Sequence, residues 1–462
     1  MTSNLTLKYV RDTFIEIENK YDVYSLTLDD IYFWKLIRFD LFSRITKDLK
    51  ILNEGHPLTK KDKVKKFLGI VKYGSKNLWL RTKVSQADVM LLSHGRKFAH
   101  SNIYVDPYLY DIQKMLEKNK ETYLVIDRPD HYGKHYEMDF ENYIYFERFG
   151  HVVRELMYKP FSGNLNLKNK ENTINIIQNE INSVYNVDID LTSLIMKKKF
   201  RFMQEKKYFL KLLKKINPKK IYLVVSYGKE ELISAADDLG IETIEVQHGV
   251  ISNYHFGYYY PYDFRIPYFP SRLVLFGKYW EDSVFYPNNC TLETNSFSLL
   301  NMSEYVKKFE EKQESVVFIS QGSIGEKLSQ VAAEFASNNN ISCYYKLHPS
   351  EYNQWKFKYK ELFLCEKQGK IKVVSNQETI YELFSKCKYS IGVYSTSIFE
   401  SLLYECETFL TEIEGYQYMQ FLIDNNYVKV LPKNFSICDL KDFKSNKAIN
   451  VSYFYMNEGN KQ

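Results

Sequence analysis

Lys346 and His348 flank Leu347 in KLHPSE (346–351), directly after the apolar run ISCYY. Alternate residues of an extended chain share a face, so the two point the same way before Pro349 stops the strand. A cation and an imidazole so placed can hold a phosphate and neutralise the charge that a leaving group acquires. In YSTSIFE (394–400), Ser395, Thr396 and Ser397 follow the run YSIGV and precede an apolar helix. Hydroxyls and free N–H groups at a helix start cradle an anion, although Ser and Thr are preferred N-caps for purely structural reasons too. Glu400, three residues beyond Ser397, matches a capping box.

Two further stretches carry candidate groups. SQGSIG (320–325) follows the run VVFI, and Gln321, Gly322 and Ser323 form a turn where backbone N–H groups can approach a phosphate. Glycines are also common in strand-to-helix turns that bind nothing. QHGVISNYHFGYYYP (247–261) follows the run IETIEV. There His248 is the candidate base, because an imidazole can take a proton from an attacking hydroxyl within hydrogen-bond reach. Gln247 and Gly249 flank it, while His255 and Tyr258 lie on a tyrosine loop suited to acceptor contact or to plain packing. Asp106, Glu230 and Asp263 are alternative bases, each more ordinarily a solvated carboxylate. VDID (187–190) contains an Asp-x-Asp, but it follows a polar region, and the scheme calls for no metal and no other cofactor.

All four stretches sit where apolar runs end, and open α/β sheets bind ligands beyond the carboxyl ends of their strands. The runs ADVMLLSH, TYLVIDRP, KKIYLVVSYG and IETIEVQHG alternate with helix-like segments, and a second series begins at SVVFIS. The pattern predicts an α/β fold with two Rossmann-like domains facing a cleft: 86–305 for an acceptor and 306–430 for a nucleotide donor. A helical extension precedes them over 1–85, and a tail over 431–462 returns toward the first domain.

With 462 residues, two or three domains are expected. Sixty-three basic and 57 acidic residues give a net charge of +6, too balanced to suggest nucleic acid as a partner. The six cysteines lack zinc or disulfide spacing, as expected of reduced thiols in a cytoplasm. No signal peptide or membrane-spanning run is apparent. The stretch 60–83 carries nine Lys or Arg against one Asp, interleaved with apolar residues. Such a segment suits an anionic membrane surface, or equally a solvated helix packed by one face.

The order QHG, Gly-containing turn, KLHP and STSxFE resembles bacterial GT-B glycosyltransferases of surface-polysaccharide synthesis, over roughly 220–425. The HP and serine/threonine motifs are similar to those of bacterial sialyltransferases, and E-x-QHG resembles capsule Kdo transferases; teichoic-acid-type polymerases share a related pattern. The resemblance implies a nucleotide-sugar donor in the second domain, with His348, Pro349, Ser395, Thr396 and Ser397 at the nucleotide and its phosphate. Gln321, Gly322, Ser323, Lys346 and Glu400 join that donor set, and His248 and His348 are the catalytic pair. Gln247, Gly249, His255 and Tyr258 face a glycan or lipid-linked glycan acceptor. The acidic motif that supplies the sialyltransferase base has no clear counterpart in this sequence. A CMP-linked ulosonic acid is the expected donor. The alternatives are a CDP-polyol phosphotransferase, a UDP-sugar-dependent enzyme and a non-catalytic scaffold.

Overall fold

Leu7, Val10, Phe14 and Ile17 recur at helical spacing and are all buried on one side of helix α1 (Leu7–Lys20), whose first turn Thr6 caps through the Tyr9 N–H. Helix α2 (Phe33–Asp48) buries ten of its sixteen residues. Both pack against the first domain. Phe14 and Phe42 pack on Phe256, with ring centroids 5.0 and 3.8 Å away. Arg38 of α2 is fully buried, pairs with Glu18 at 2.8 Å and donates to the Phe256 and Tyr259 carbonyls. Glu18 also accepts from Trp34 and Tyr262, so the carboxylate holds the tyrosine loop from beneath. These helices therefore belong to the first domain's core.

The structure, a computed structural model, describes residues 5–52, 60–80, 85–100, 103–130, 133–136, 143–146, 171–295, 306–446 and 451–455. Of the basic segment 60–83, residues 81–83 lie outside that set. Helix α3 (Lys60–Leu80) carries the remainder.

The first domain's strands are β1 (Val89–Leu92), the antiparallel pair β2 (Phe98–His100) and β3 (Ile103–Val105), β4 (Tyr123–Asp127), β5 (Tyr143–Tyr145), β6 (Lys220–Val224), β7 (Glu242–Val246), β8 (Arg272–Leu275) and β9 (Thr291–Thr294). Without β2 and β3 they form one parallel sheet in the order β5-β4-β1-β6-β7-β8-β9. The second domain contains β10 (Gln313–Ile319), β11 (Ser342–Lys346), β12 (Lys372–Val374), β13 (Cys387–Gly392), β14 (Glu407–Thr411) and β15 (Lys429–Leu431), parallel in the order β12-β11-β10-β13-β14-β15.

Numbered within its own domain, each sheet runs 3-2-1-4-5-6, with β9 added to the first. That is the doubly wound order, in which the crevice opens where the strand order reverses. The reversals fall between β1 and β6 and between β10 and β13. Two such domains in series make the GT-B architecture. Their central strands are buried along most of their length, as parallel strands covered on both faces are: all of β1, the last five residues of β10 and all of β13 but Lys388.

Aromatic packing joins the domains. Tyr279 and Trp280 of the first lie 5.2 and 4.6 Å from Phe399 in the helix Thr396–Leu403 of the second. The short terminal helix Val451–Phe454 closes over the same place, where the Trp280 indole donates to the Phe454 carbonyl at 2.8 Å.

Candidate functional site

Beyond β11, His348 begins a turn that Pro349 and Glu351 shape. The buried Glu351 carboxylate accepts the His348 backbone N–H at 2.6 Å, the Ser320 hydroxyl at 2.8 Å and the Tyr359 hydroxyl at 2.6 Å. It thereby ties the ends of β10 and β11 together. The His348 ring accepts the Ser350 N–H at Nδ1, 3.2 Å away, with the Ser350 hydroxyl at 2.8 Å. An Nδ1 that accepts leaves the ring proton on Nε2. Burial, followed by the Arg96 charge, lowers His348 to about 4, so the ring is a neutral Nε2–H donor near pH 7.

Lys346 does not share that role. Its ammonium donates to the Ser375 and Glu378 carbonyls, the latter at 2.6 Å, and so closes the β12 end of the sheet. The face shared along β11 is real, but main-chain carbonyls claim the lysine. Gly322 is also explained by packing: a Cβ there would meet the Ser350 hydroxyl at 2.6 Å. Ser323 pairs with the Tyr394 hydroxyl at 2.8 Å, and the Gln321 amide oxygen is buried without a partner.

Ser395, not Ser397, caps the helix Thr396–Leu403, its hydroxyl accepting the Ser397 N–H at 3.2 Å. Thr396 and Ser397 are half-buried beside it. Glu400 is buried rather than open to a ligand; its carboxyl is raised by burial and stabilised by Arg96, Thr396, Ser397 and Tyr381. The capping-box reading is corrected accordingly.

On the first domain, β7 ends one residue before Gln247. Gln247 has no exposed surface: its amide accepts the Phe276 N–H at 2.8 Å and donates to the Gly249 carbonyl at 2.9 Å, tying the ends of β7 and β8 together. That orients His248. Its Nδ1 lies 3.5 Å from the Tyr258 hydroxyl, and its ring stands 5.8 Å from His94 and 6.2 Å from Tyr108. Burial, then Arg128 and Arg96, hold His248 at about 4.

The tyrosine loop is interior. Tyr258 is fully buried and donates to Glu245; His255 lies between Phe39 and Tyr227, with ring centroids 5.6 and 5.1 Å away. Direct acceptor contact by Tyr258 is therefore replaced by a role behind His248. Gly249 meets no crowding that would require a glycine. Among the alternative bases, Asp106 is buried against the His94 and Tyr108 N–H groups, Glu230 pairs with Lys35 at 3.3 Å, and Asp263 is exposed. Asp190 of VDID caps the helix Leu191–Ile216 through the Ser193 N–H.

Three groups escaped the sequence reading. His94 and Arg96 follow β1, and Arg128 follows β4. The Arg96 charge acts on His248, His348 and Glu400 alike, so Arg96 lies near all three. Their signal was positional, polar residues just beyond an apolar run, and it was as strong there as at QHG. A cavity of about 750 Å³ adjoins this region, lined by Lys65, Lys72 and Tyr73 of α3, Lys134, and Ser350 of the His348 turn.

No protein-family model and no curated protein matches the sequence. Among solved structures, Acinetobacter baumannii MurG is similar over 75% of this chain and 85% of its own, at 11% identity and a TM-score of 0.42. A glycosyltransferase from Rickettsia africae covers 76% and 85% at 14% identity and 0.40, and the Methanocaldococcus jannaschii UDP-GlcNAc 2-epimerase covers 75% and 89% at 9% and 0.40. Similarity this distant says nothing about the reaction, and the fold assignment stands on the two sheets themselves.

Proposed function

We propose that this chain is a metal-independent glycosyltransferase that moves a sugar from a nucleotide donor to a glycan acceptor in the cleft between its domains. One observation carries the reading: His248 and His348 stand just beyond the ends of strands in different domains, both neutral near pH 7 and both acted on by the Arg96 charge. His348 Nε2–H donates to the donor's phosphate, beside the first turn of the helix Thr396–Leu403. His248 takes the proton of the attacking hydroxyl.

The donor class we favour is a CMP-linked ulosonic acid of the sialic acid or Kdo type, whose sugar carries a carboxylate at the anomeric carbon. The positive charges of Arg96 and Arg128, both acting on His248, suit such a carboxylate. The acceptor is a capsule, O-antigen or related glycan, and its lipid-linked form suits the lysine-lined cavity under α3. The site of action is the inner face of the plasma membrane, met through α3.

Incubation of the full chain with CMP-sialic acid, CMP-Kdo, UDP-sugars and CDP-polyols, each with EDTA and a glycan acceptor, tests the reading by mass analysis. Transfer of the ulosonic acid alone supports it. A phosphodiester-linked product identifies a polyol phosphotransferase, transfer only from UDP-sugars replaces the donor class, and no turnover of any donor leaves a binding scaffold.

A further inference from the structure

Glu245 is a carboxyl group on a buried parallel strand, with no exposed surface, in a position where a strand of this kind ordinarily carries Val or Ile; burial raises it to about 7, so it is the carboxylate above that pH. Its Oε1 accepts the hydroxyl proton of Tyr258. Tyr258 is itself fully buried, and its oxygen lies 3.5 Å from His248 Nδ1. A phenol has one proton. Since that proton goes to Glu245, the oxygen can only accept from the imidazole, which places the ring proton on Nδ1 and the lone pair on Nε2.

We propose that Glu245 is a positioning residue that fixes the tautomer of His248 through Tyr258, so that Nε2 is held as the proton acceptor. The inference rests on the reading of His248 as the base. Without Glu245, the Tyr258 hydroxyl is free to donate to Nδ1, which moves the proton to Nε2 and leaves the ring unable to accept there. The groups around the pair fit this role. Tyr227, Tyr286 and Cys290 face Glu245 and offer no cation, while Lys35 acts on it only from a distance. His248 meets His94 and Tyr108 on its other side. His94 accepts the Arg96 N–H at its own Nδ1, 3.1 Å away, so its ring proton is on Nε2.

The full chain labelled with 15N-histidine tests this by NMR at about pH 8.5, where Glu245 is ionised, without substrate and with the His248 signals assigned by their loss in His248→Gln. The expected wild-type pattern is a protonated Nδ1 and a bare Nε2. Tyr258→Phe keeps the ring packing, and Glu245→Leu replaces a buried carboxylate with an apolar group of similar size; both should switch the majority form to Nε2–H. A wild-type ring protonated on Nε2, or an unchanged pattern in both folded variants, overturns the assignment. With a donor that turns over, both variants should lose roughly 10²-fold or more in kcat with KM little changed. Full kcat in a variant whose tautomer has switched would sink the catalytic reading of His248 while leaving the tautomer assignment standing.

Discussion

The Ser350 N–H points at His348 Nδ1 from 3.2 Å, whereas His248 meets a tyrosine oxygen at its Nδ1. One ring is set to donate from Nε2 and the other to accept there, although neither contact involves a ligand. Two neutral imidazoles with opposite tautomers can divide an acid and a base role at a single pH. Two protonated ones could not, since an imidazolium accepts at neither nitrogen.

His348→Ala removes a donor to an anionic phosphate. Hydrogen bonds to charged groups contribute about 1.5–3 kcal/mol, so the affinity for CMP should fall about 10- to 100-fold by titration calorimetry. His348→Gln retains an N–H donor and should lose less. Equal affinity in wild type and His348→Ala would remove His348 from the phosphate site.

Burial and two arginines disfavour the imidazolium of His248, so it stays unprotonated down to about pH 4. The 15N signals of His248 should therefore stay those of a neutral ring between pH 7 and 5 and titrate below that, while Glu245, raised by burial to about 7, takes up its own proton near the top of that window; an ordinary histidine would already be mostly protonated at pH 5. Arg128→Gln removes one repelling charge, so the His248 titration should move upward. A wild-type His248 ring that charges at the ordinary histidine value would overturn the prediction.

The strands were legible because parallel strands buried on both faces read as continuous apolar runs, and the candidate site was sought just past them. Pairing across space was not legible. Nothing in KLHPSE says that carbonyls 29 and 32 residues away claim Lys346, or that Glu351 holds the His348 backbone. Tyr258 looked like part of an acceptor loop because tyrosines are ordinarily half-exposed; α1 and α2, read as an extension, are what cover that loop. Glu245 was passed over because a glutamate in an apolar run is an exception that only its partner explains.

The clamp beneath that loop should be costly to open. Glu18→Ala leaves the buried Arg38 guanidinium with two carbonyls and no carboxylate. Breaking a buried pair from one side costs about 3–5 kcal/mol. Urea unfolding should register that loss, and the double variant Glu18→Ala with Arg38→Met should recover part of it, since an apolar replacement leaves no stranded charge. An unchanged midpoint in Glu18→Ala would mean that the pair contributes nothing to stability.

Helix α3 presents Val64, Phe67, Leu68 and Val71, each more than 40% exposed, at the i, i+3, i+4, i+7 spacing of a single face. The opposite face is occupied: Gly69 packs closely on Gly133, and the Tyr73 ring lies 4.5 Å from His135. The apolar stripe thus points away from the domain, with Lys63, Lys65 and Lys72 exposed beside it. Apolar insertion together with about 1 kcal/mol per lysine at an anionic surface favours flat membrane binding. The full chain should sediment with vesicles rich in anionic lipid, progressively less as salt shortens the screening length. Phe67→Glu with Leu68→Glu changes only exposed positions, so the fold should survive while vesicle affinity falls about 10²-fold or more, the loss of two buried apolar side chains. Salt-insensitive failure of the wild type to bind, or undiminished binding by the double variant, would show that this face meets something other than a membrane.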